Sequence, residues 1–388
     1  MKHTARYKIL ISGILLSVFL AVIASAGCVS TQGAQDAPNG DTVTIQDVFG
    51  RTLQIPAHPQ NIATAGTASA RFLTYLDAAD TITSVDFGET RPQRLTYDPR
   101  PFALANRNFT TLPAVTTETG AVNPEVLLSL NPDLLVLSTE SAAGIAEADK
   151  ITEKTGIPVV LIDETANLGA HRSLFDANID LLAKILGKED RAKELLGYID
   201  DTLADLAART KDVPASEIPS VYIGGVAYSG AHGLTYTEPN YPPFAYLGID
   251  NIAKTSDKTT TLAVEISKEK LLEWDPDVIF IDAATLRCFA DKNAFESLKG
   301  DDLYSGLKAV KNNAVYVTIP YIWSGINHES SLANAYFIGY VLFPKQFADI
   351  DPVKKADEIY QQFVSKPVFG ELNSFLNNLG FTRYNLKQ

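Results

Sequence analysis

The sequence N-P-E-V-L-L-S-L-N-P-D-L-L-V-L-S at residues 123–138 has a second version, S-K-E-K-L-L-E-W-D-P-D-V-I-F-I-D, at residues 267–282. Each version contains, in the same order, a capping residue, a Glu, a pair of Leu residues, Pro-Asp and an apolar run. The capping residues are Asn123 and Ser267, whose short polar side chains are favoured at helix N-caps. We therefore expect the same structural unit twice in this chain.

The repeated unit predicts a short helix followed by a buried strand. Pro132 and Pro276 would end the helix, because proline lacks a backbone N–H and its ring clashes with the preceding turn. The apolar runs at 134–137 and 278–281 suit strands that are covered on both faces. A helix, loop and strand repeated in two halves of a chain predicts an α/β fold with two doubly wound lobes.

One long helix is predicted between these lobes. Gly187 separates one segment with helical apolar periodicity from a second at residues 188–212. A continuous helix there would be a stiff strut between the lobes rather than a loose hinge. The expected organisation is an N-terminal lobe at 42–187, the helix at 188–212 and a C-terminal lobe at 213–388.

Residues 1–27 have the pattern of an export signal. Lys2, Arg6 and Lys8 precede an apolar run at 9–23, and small residues follow it. This order of positive charge, apolar run and small residues is typical of secretory signals. We expect the mature protein outside the cytoplasm.

Three kinds of processing are compatible with this N-terminus. The signal could be cleaved before Gly27, Cys28 could become a lipidated first residue, or the apolar run could stay as an anchor, since it nears the ~20 residues that span a bilayer. We favour lipidation, because Ala26-Gly27-Cys28 resembles a lipobox and residues 28–41 are a polar, low-complexity tether. The protein would then be anchored to the outer face of the cytoplasmic membrane.

The composition excludes several classes of protein. The chain has 388 residues, 46% of them hydrophobic, and a formal net charge of −13 at pH 7, which removal of the signal makes more negative. An acidic chain of this kind does not suit nucleic-acid binding. Two cysteines, one of them at the signal boundary, cannot form a disulfide framework. Cys288 is therefore expected to be a small, partly buried residue.

The motifs of common catalytic and metal sites are missing from the sequence. It has no nucleophile elbow, Walker loop, dinucleotide fingerprint or zinc-protease helix. The five His residues, at positions 3, 58, 171, 232 and 328, never occur at metal-ligand spacing, so no dedicated metal site is expected.

Loops that follow the predicted parallel strands carry the candidate ligand-binding residues, because open α/β sheets bind ligands at the carboxyl ends of their strands. The loop at 88–107 is too long for a simple connection, and those at 225–244 and 320–328 are rich in aromatic residues. Aromatic and Arg side chains suit a flat or anionic ligand. The candidates are Arg71, Arg91, Arg94 and Tyr97 in the first lobe, and Tyr228, His232, Tyr236, Glu238, Arg287, Tyr321, Trp323 and His328 in the second.

The export signal, the stretch T-V-T-I-Q-D-V-F-G-R-T-L-Q-I-P at 42–56, the paired units and the long helix together resemble the substrate-binding lipoproteins of ABC importers for iron complexes and cobalamin. The resemblance implies two α/β lobes that hold a chelated metal or corrinoid between them and move little on closure. It also implies a partner, an ABC permease dimer with its ATPase. By the same resemblance, Glu125 and Glu269 are permease-docking residues. The protein would be monomeric, non-enzymatic and without an intrinsic cofactor.

The ligand stays open at this point. The stretch at 230–244 resembles a subgroup of iron-complex binders, which favours an iron(III)-siderophore type of chelate. One alternative is cobalamin or another corrinoid, and a second is haem, with His232 or His328 and a Tyr as ligands. A third alternative, of another class, is an exported hydrolase that uses Glu238 as an acid or base.

Overall fold

The computed structural model describes residues 41–254, 263–288 and 293–386. The predicted export signal, Cys28 and residues 28–40 of the predicted tether lie outside the described residues. Within those ranges, no helix combines the length and the apolar character that crossing a bilayer requires.

The N-terminal lobe is built on a parallel sheet. Its strands are β1 (Thr42–Gln46), β2 (Thr52–Pro56), β3 (Ile62–Ala65), β4 (Ile82–Ser84), β5 (Leu134–Thr139) and β6 (Val159–Asp163). Strands β1 and β2 form an antiparallel hairpin that turns at Gly50, where φ is +82°. The other four pair in parallel in the order β4-β3-β5-β6.

The C-terminal lobe has a mixed sheet. Its strands are β7 (Val221–Gly224), β8 (Tyr236–Thr237), β9 (Val264–Glu265), β10 (Val278–Asp282), β11 (Val315–Thr318) and β12 (Thr382–Arg383). The sheet order is β12-β11-β10-β7, with β12 antiparallel to the three parallel strands. Strands β8 and β9 form a separate antiparallel pair beside it.

Helices cover the sheets. Those before the C-terminal lobe are α1 (Ser69–Tyr75), α2 (Pro101–Ala105), α3 (Pro124–Leu130), α4 (Ala142–Thr155), α5 (Arg172–Leu186) and α6 (Glu189–Thr210). Those after it begins are α7 (Pro242–Tyr246), α8 (Lys268–Trp274), α9 (Ala294–Gly300), α10 (Lys308–Lys311), α11 (His328–Leu342), α12 (Pro352–Val364) and α13 (Phe369–Phe375).

Both faces of the first sheet are buried, as expected for a doubly wound lobe. Along β5, Leu134 and Val136 belong to one hydrophobic cluster, and Leu135 and Leu137 belong to another on the opposite face. Alternating side chains of a strand point to opposite faces, so each face has its own layer of helices. The predicted α/β fold with two lobes is confirmed.

The repeated unit is present in both lobes and is capped in the same way. The Asn123 side chain accepts a hydrogen bond from the backbone N–H of Glu125 at 3.1 Å, and the Ser267 side chain accepts one from Lys270 at 3.1 Å. Both helices end in a left-handed residue with φ of +45°, at Asn131 and at Asp275. Each then leads into an internal strand of its sheet, β5 or β10.

Helix α6 occupies the segment predicted as the connecting helix. It has 22 residues, which is about 33 Å at 1.5 Å per residue. Gly187, in the left-handed region with φ of +65°, ends α5 immediately before it. Arg107 pairs with Glu371 on α13, so a C-terminal helix also packs against the first lobe. Arg191 on α6 donates to the carbonyl oxygen of Gln362 on α12.

Candidate functional site

A cleft of about 1030 Å³ opens between loops of the two lobes. The N-terminal lobe contributes residues 87–97 and Glu118, and the C-terminal lobe contributes 227–230, Arg287 and 322–325. These segments follow β4, β7, β10 and β11, so the cleft lies where open parallel sheets bind ligands.

Six of the twelve predicted ligand-binding residues meet on this cleft. They come from four separate loops that are far apart in the sequence, and both lobes contribute to the set. The six are Arg91, Arg94, Tyr97, Tyr228, Arg287 and Trp323.

The loop at 87–100, which forms the first wall, is held in place by a buried ion cluster. Arg100 donates to both oxygens of Glu89 at 2.6 and 2.8 Å, and its Nε and Nη2 donate to the two oxygens of Asp98 at 2.7 Å each. Burial by itself would lower the pKa of Arg100, but the charges of Glu89 and Asp98 and their hydrogen bonds outweigh it and raise the pKa. The cluster closes the loop that carries Arg91, Arg94 and Tyr97.

Two arginines of the N-terminal lobe donate hydrogen bonds to the C-terminal lobe at the base of the cleft. Arg94 donates to the Ser324 hydroxyl at 2.8 Å, and Arg71 donates to the Ser324 carbonyl oxygen at 2.9 Å. Gly325 follows with φ of +89°, and a Cβ there would lie 2.8 Å from Nη1 of Arg71, so any other residue would be strained and would crowd Arg71. These contacts fix the loop that carries Trp323 against the opposite lobe.

A stack of side chains crosses the cleft between the lobes. The guanidinium of Arg287 lies 3.7 Å from the ring centre of Tyr97, and the rings of Tyr97 and Trp323 meet edge to face at 5.1 Å. The Tyr97 hydroxyl is buried and has no hydrogen-bond partner of standard geometry among the described residues. Burial, followed by the nearby charge of Asp282, raises the pKa of Tyr97, so its phenol stays neutral at physiological pH.

The electrostatic character of the cleft is opposite to that of the whole protein. Arg91, Arg94 and Arg287 line it with Glu118 as the acidic lining residue, whereas the chain carries a net charge of −13. Charges that share one concave surface focus the local field, so the cleft attracts anions.

Four predicted residues are buried and do not line the cleft. Arg71 is the cross-lobe contact described above. Glu238 accepts a hydrogen bond from the Tyr321 hydroxyl at 2.5 Å inside the C-terminal lobe, and burial raises its pKa well above the usual value. His328 packs among aromatic rings, and its pKa is lowered well below the usual value by burial and then by the charge of Arg71. These four side chains therefore lie in the protein interior rather than on the cleft surface.

His232 and Tyr236 lie in a neighbouring pocket of about 470 Å³ rather than in the main cleft. Their rings stack at 3.8 Å, and Nε2 of His232 lies 2.6 Å from the carbonyl oxygen of Tyr228. Among the described residues, no three His, Cys, Asp or Glu side chains come together in a way that could hold a metal ion.

Some residues of the site were not predicted from the sequence. Phe87, Glu118, Ser324 and Gly325 line the cleft, and Asp282 is buried behind it with a pKa raised to about 8 by burial. The Ser-Gly pair following Trp323 was a usable signal, because Gly permits close approach of backbone and ligand or side chain. Glu118 stands in an ordinary-looking polar turn and gave no signal.

The two glutamates of the repeated unit lie outside the cleft. Glu125 is exposed on the first turn of α3, and Glu269 is exposed on the first turn of α8.

Two α/β lobes around a cationic, aromatic cleft define a protein that binds a small solute between its lobes. The chain belongs to the family of periplasmic binding proteins, whose profile matches residues 62–321. The predicted role as the substrate-binding component of an ABC importer, and not as an enzyme, is confirmed by this membership.

The relatives of the chain cover most of its length. It is 28% identical to the Fe(3+)-citrate-binding protein YfmC of Bacillus subtilis, over 78% of this chain and 87% of that protein. It is 23% identical to the molybdate-binding protein MolA of Haemophilus influenzae, over 82% and 90%. A periplasmic solute binding protein from Veillonella parvula has the same fold, with a TM-score of 0.66 at 22% identity over 87% of this chain and 97% of that one.

Proposed function

We propose that the cleft captures an anionic iron(III) chelate of the carboxylate type, such as ferric citrate. The observation that carries this proposal is that three arginines, Arg91, Arg94 and Arg287, line the cleft of a protein with a negative net charge. Arg forms bidentate hydrogen bonds with carboxylates, so a chelate that presents several carboxylates suits this lining. The similarity to the Fe(3+)-citrate-binding relative supports the same class.

The size of the cleft favours a chelate over a bare oxyanion. Sites for ligands of several hundred daltons have volumes of roughly 300 to 1,000 Å³, and this cleft is about 1030 Å³. Haem is less well supported, because His328 is buried in the core and His232 lies in the neighbouring pocket. A corrinoid would fit the volume of the cleft. The three arginines would contribute less to binding a corrinoid than to binding an anion.

The loaded protein would dock on the ABC permease through the two copies of the repeated unit and release the chelate to it. Glu125 and Glu269 place one exposed carboxylate on each lobe. Two such charges can meet two basic sites on a two-fold partner, and complementary charge governs encounter and register in such contacts.

Ferric citrate is expected to bind purified protein and to change the fluorescence of Trp323, which lines the cleft. Trp323→Ala should weaken binding by roughly 1 to 3 kcal/mol, which is about tenfold or more, because it removes a large aromatic contact. Isothermal titration calorimetry measures both affinities. Molybdate and a cationic hydroxamate chelate serve as competing ligands in the same assay.

Tyr236→Ala is the matched control for this experiment. It also removes an aromatic ring from a loop of the C-terminal lobe, but that ring lies in the neighbouring pocket. Its affinity for ferric citrate should stay within about twofold of wild type, since it loses no contact in the cleft. Equal losses for the two variants would contradict the cleft assignment, and tight binding of molybdate with none of citrate would contradict the chelate.

Family membership places the protein outside the cytoplasm, and we propose that Cys28 anchors it to the membrane. Support comes from Ala26-Gly27-Cys28 and from the polar segment behind it. Cys28→Ala should leave the precursor unprocessed or release the protein from the membrane fraction, as judged by fractionation and mass spectrometry of the N-terminus. A wild-type protein that begins at Gly27 without lipid would show that the anchor does not exist.

A further inference from the structure

The two copies of the repeated unit present different surfaces, although their backbones match. In each helix a single leucine is buried, Leu127 in α3 and Leu271 in α8. The remaining leucines of α3 are exposed, whereas the equivalent apolar side chains of α8 are partly buried. The difference bears on how each lobe meets a partner.

Helix α3 leaves its other two leucines partly exposed. Leu128 is 47% exposed and Leu130 is 37% exposed, on a helix of seven residues that begins with the exposed Glu125. Residues 108–148 contain several acidic residues and no Lys, Arg or His. Glu125 makes no ion pair with any described residue, and Leu128, three residues further on, is its neighbour on the helix surface. We call Glu125, Leu128 and Leu130, which is the last residue of the helix, the α3 patch.

Helix α8 partly covers the equivalent apolar positions and has lysines beside its glutamate. Trp274 stands where α3 has Leu130, and the ammonium of Lys270 lies 5.4 Å from the centre of its ring. Lys268 and Lys270 flank Glu269 and pair with Asp301 and Glu273 respectively. The two lysines are thus paired with other carboxylates, while Glu269 itself, like Glu125, makes no ion pair with a described residue, and Leu303 is exposed on the adjacent turn.

Glu118, which lines the cleft, belongs to the turn at 117–120 that leads into α3. The α3 patch is therefore connected to the cleft lining by a short segment of the chain. A second copy of this chain is a poor occupant, because two base-free acidic surfaces would repel each other.

We propose that α3 is the principal docking element for the permease. Leu128 and Leu130 bury against an apolar surface of the permease, and a basic group beside that surface receives Glu125. Helix α8 contributes mainly orientation through its charges. This inference rests on the proposed transport function, and it assigns the larger share of permease affinity to the N-terminal lobe.

The test measures affinity for the permease and ATPase complex immobilised in detergent, with the full mature protein loaded with ferric citrate. Leu128→Ser with Leu130→Ser should weaken binding by about tenfold or more, because the apolar surface that these side chains bury at the interface would be lost. That loss should persist when salt rises from about 0.1 to 0.5 M, since apolar contacts are not screened. Ligand affinity and unfolding temperature report whether the fold is intact.

Two matched variants separate α3 from general surface effects. Leu303→Ser changes an exposed leucine beside α8, and Val43→Ser with Val353→Ser changes two exposed apolar residues elsewhere. Each should weaken binding by less than about threefold, because neither belongs to the α3 patch. A loss for Leu303→Ser equal to that of the α3 variant would overturn the asymmetry, and so would an unchanged affinity of the α3 variant.

The failure of the transport proposal looks different. In that case wild-type protein does not bind the immobilised complex at all, and reversal of both glutamates changes nothing. If wild type binds and the glutamate reversals abolish binding while the leucine variants bind normally, transport stands and the docking role of the α3 leucines is refuted.

Discussion

Replacing Arg100 by Met is expected to lower the free energy of unfolding by roughly 3 to 5 kcal/mol, because removing one partner of a buried ion pair leaves uncompensated buried charge. Glu89 is 6% exposed and Asp98 is 2% exposed, and Arg100 is the cation that satisfies both. Urea denaturation followed by circular dichroism measures the change. A loss below about 1 kcal/mol, the range of surface pairs, would contradict the prediction.

Arg209→Gln is the matched control. Arg209 also makes two hydrogen bonds to one carboxylate, that of Asp349 at 2.7 and 2.9 Å, and one to Asp205 at 2.8 Å. The partner side chains are 65% and 41% exposed, so solvent screens these pairs. The loss should stay within about 1 kcal/mol, as for other surface ion pairs.

A second variant shows whether buried charge is the cause. When Arg100→Met is combined with Glu89→Gln and Asp98→Asn, no carboxylate is left without a cation. A buried amide left without a partner costs less than a buried carboxylate left without its cation. The triple variant should therefore recover most of the stability that the single variant loses. If it does not, the effect of Arg100 comes from packing against Phe102 instead.

The ion cluster also bears on ligand binding, since it closes the loop that carries Arg91, Arg94 and Tyr97. If this loop is disordered in the free protein, it must become ordered when the ligand binds. The free-energy cost of this ordering lowers the ligand affinity, even when the rest of the protein is folded. We expect Arg100→Met to weaken ferric citrate binding by about tenfold at a temperature where the variant is fully folded, with no comparable change for Arg209→Gln.

Much of the fold could be predicted because it depends on local patterns. The units at 123–138 and 267–282 carry their own caps, breakers and apolar runs, so each specifies a helix, a loop and a strand without reference to the rest of the chain. The helix at 189–210 has a periodic apolar stripe and a glycine before it. Such signals are independent of tertiary context.

The composition of the site was harder to predict because it depends on which way loop side chains turn. Arg91, Arg94 and Arg100 look alike in the sequence, yet two line the cleft and the third is buried in an ion cluster. Tyr321 and Trp323 are two residues apart, but Tyr321 is buried against Glu238 while Trp323 faces the cleft. Loop residues have no periodicity from which their direction follows, so only the tertiary structure separates these roles.

His328 shows a related limit. It begins α11, whose first twelve residues, from His328 to Gly339, are all buried. A helix that is buried on every side has no polar face, so its sequence pattern does not show which residues are exposed. The histidine, which looked like a ligand at the end of an aromatic loop, is therefore a core residue against Phe72, Tyr75 and Phe175.

Reversal of both repeated glutamates, Glu125→Lys with Glu269→Lys, is expected to abolish transport. Juxtaposed like charges cost several kcal/mol at an interface, so two reversed contacts should lower permease affinity by roughly a thousandfold or more. Both side chains are exposed and neither lines the cleft, so ferric citrate should bind the variant as tightly as wild type. Uptake of radiolabelled iron citrate by cells that carry the permease measures the first effect, and calorimetry measures the second.

Glutamine at the same two positions distinguishes docking from helix capping. A carboxylate on the first turn stabilises an exposed helix by only ~0.3 to 1 kcal/mol, so Glu125→Gln and Glu269→Gln should leave stability nearly unchanged in either case. If the glutamates dock, each neutral variant should still lower uptake, and Glu125→Gln should lower it more, because α3 has no lysine beside its carboxylate. Normal uptake by the double Lys variant would show that both glutamates only stabilise the first turns of their helices. The repeated unit would then not belong to the docking surface.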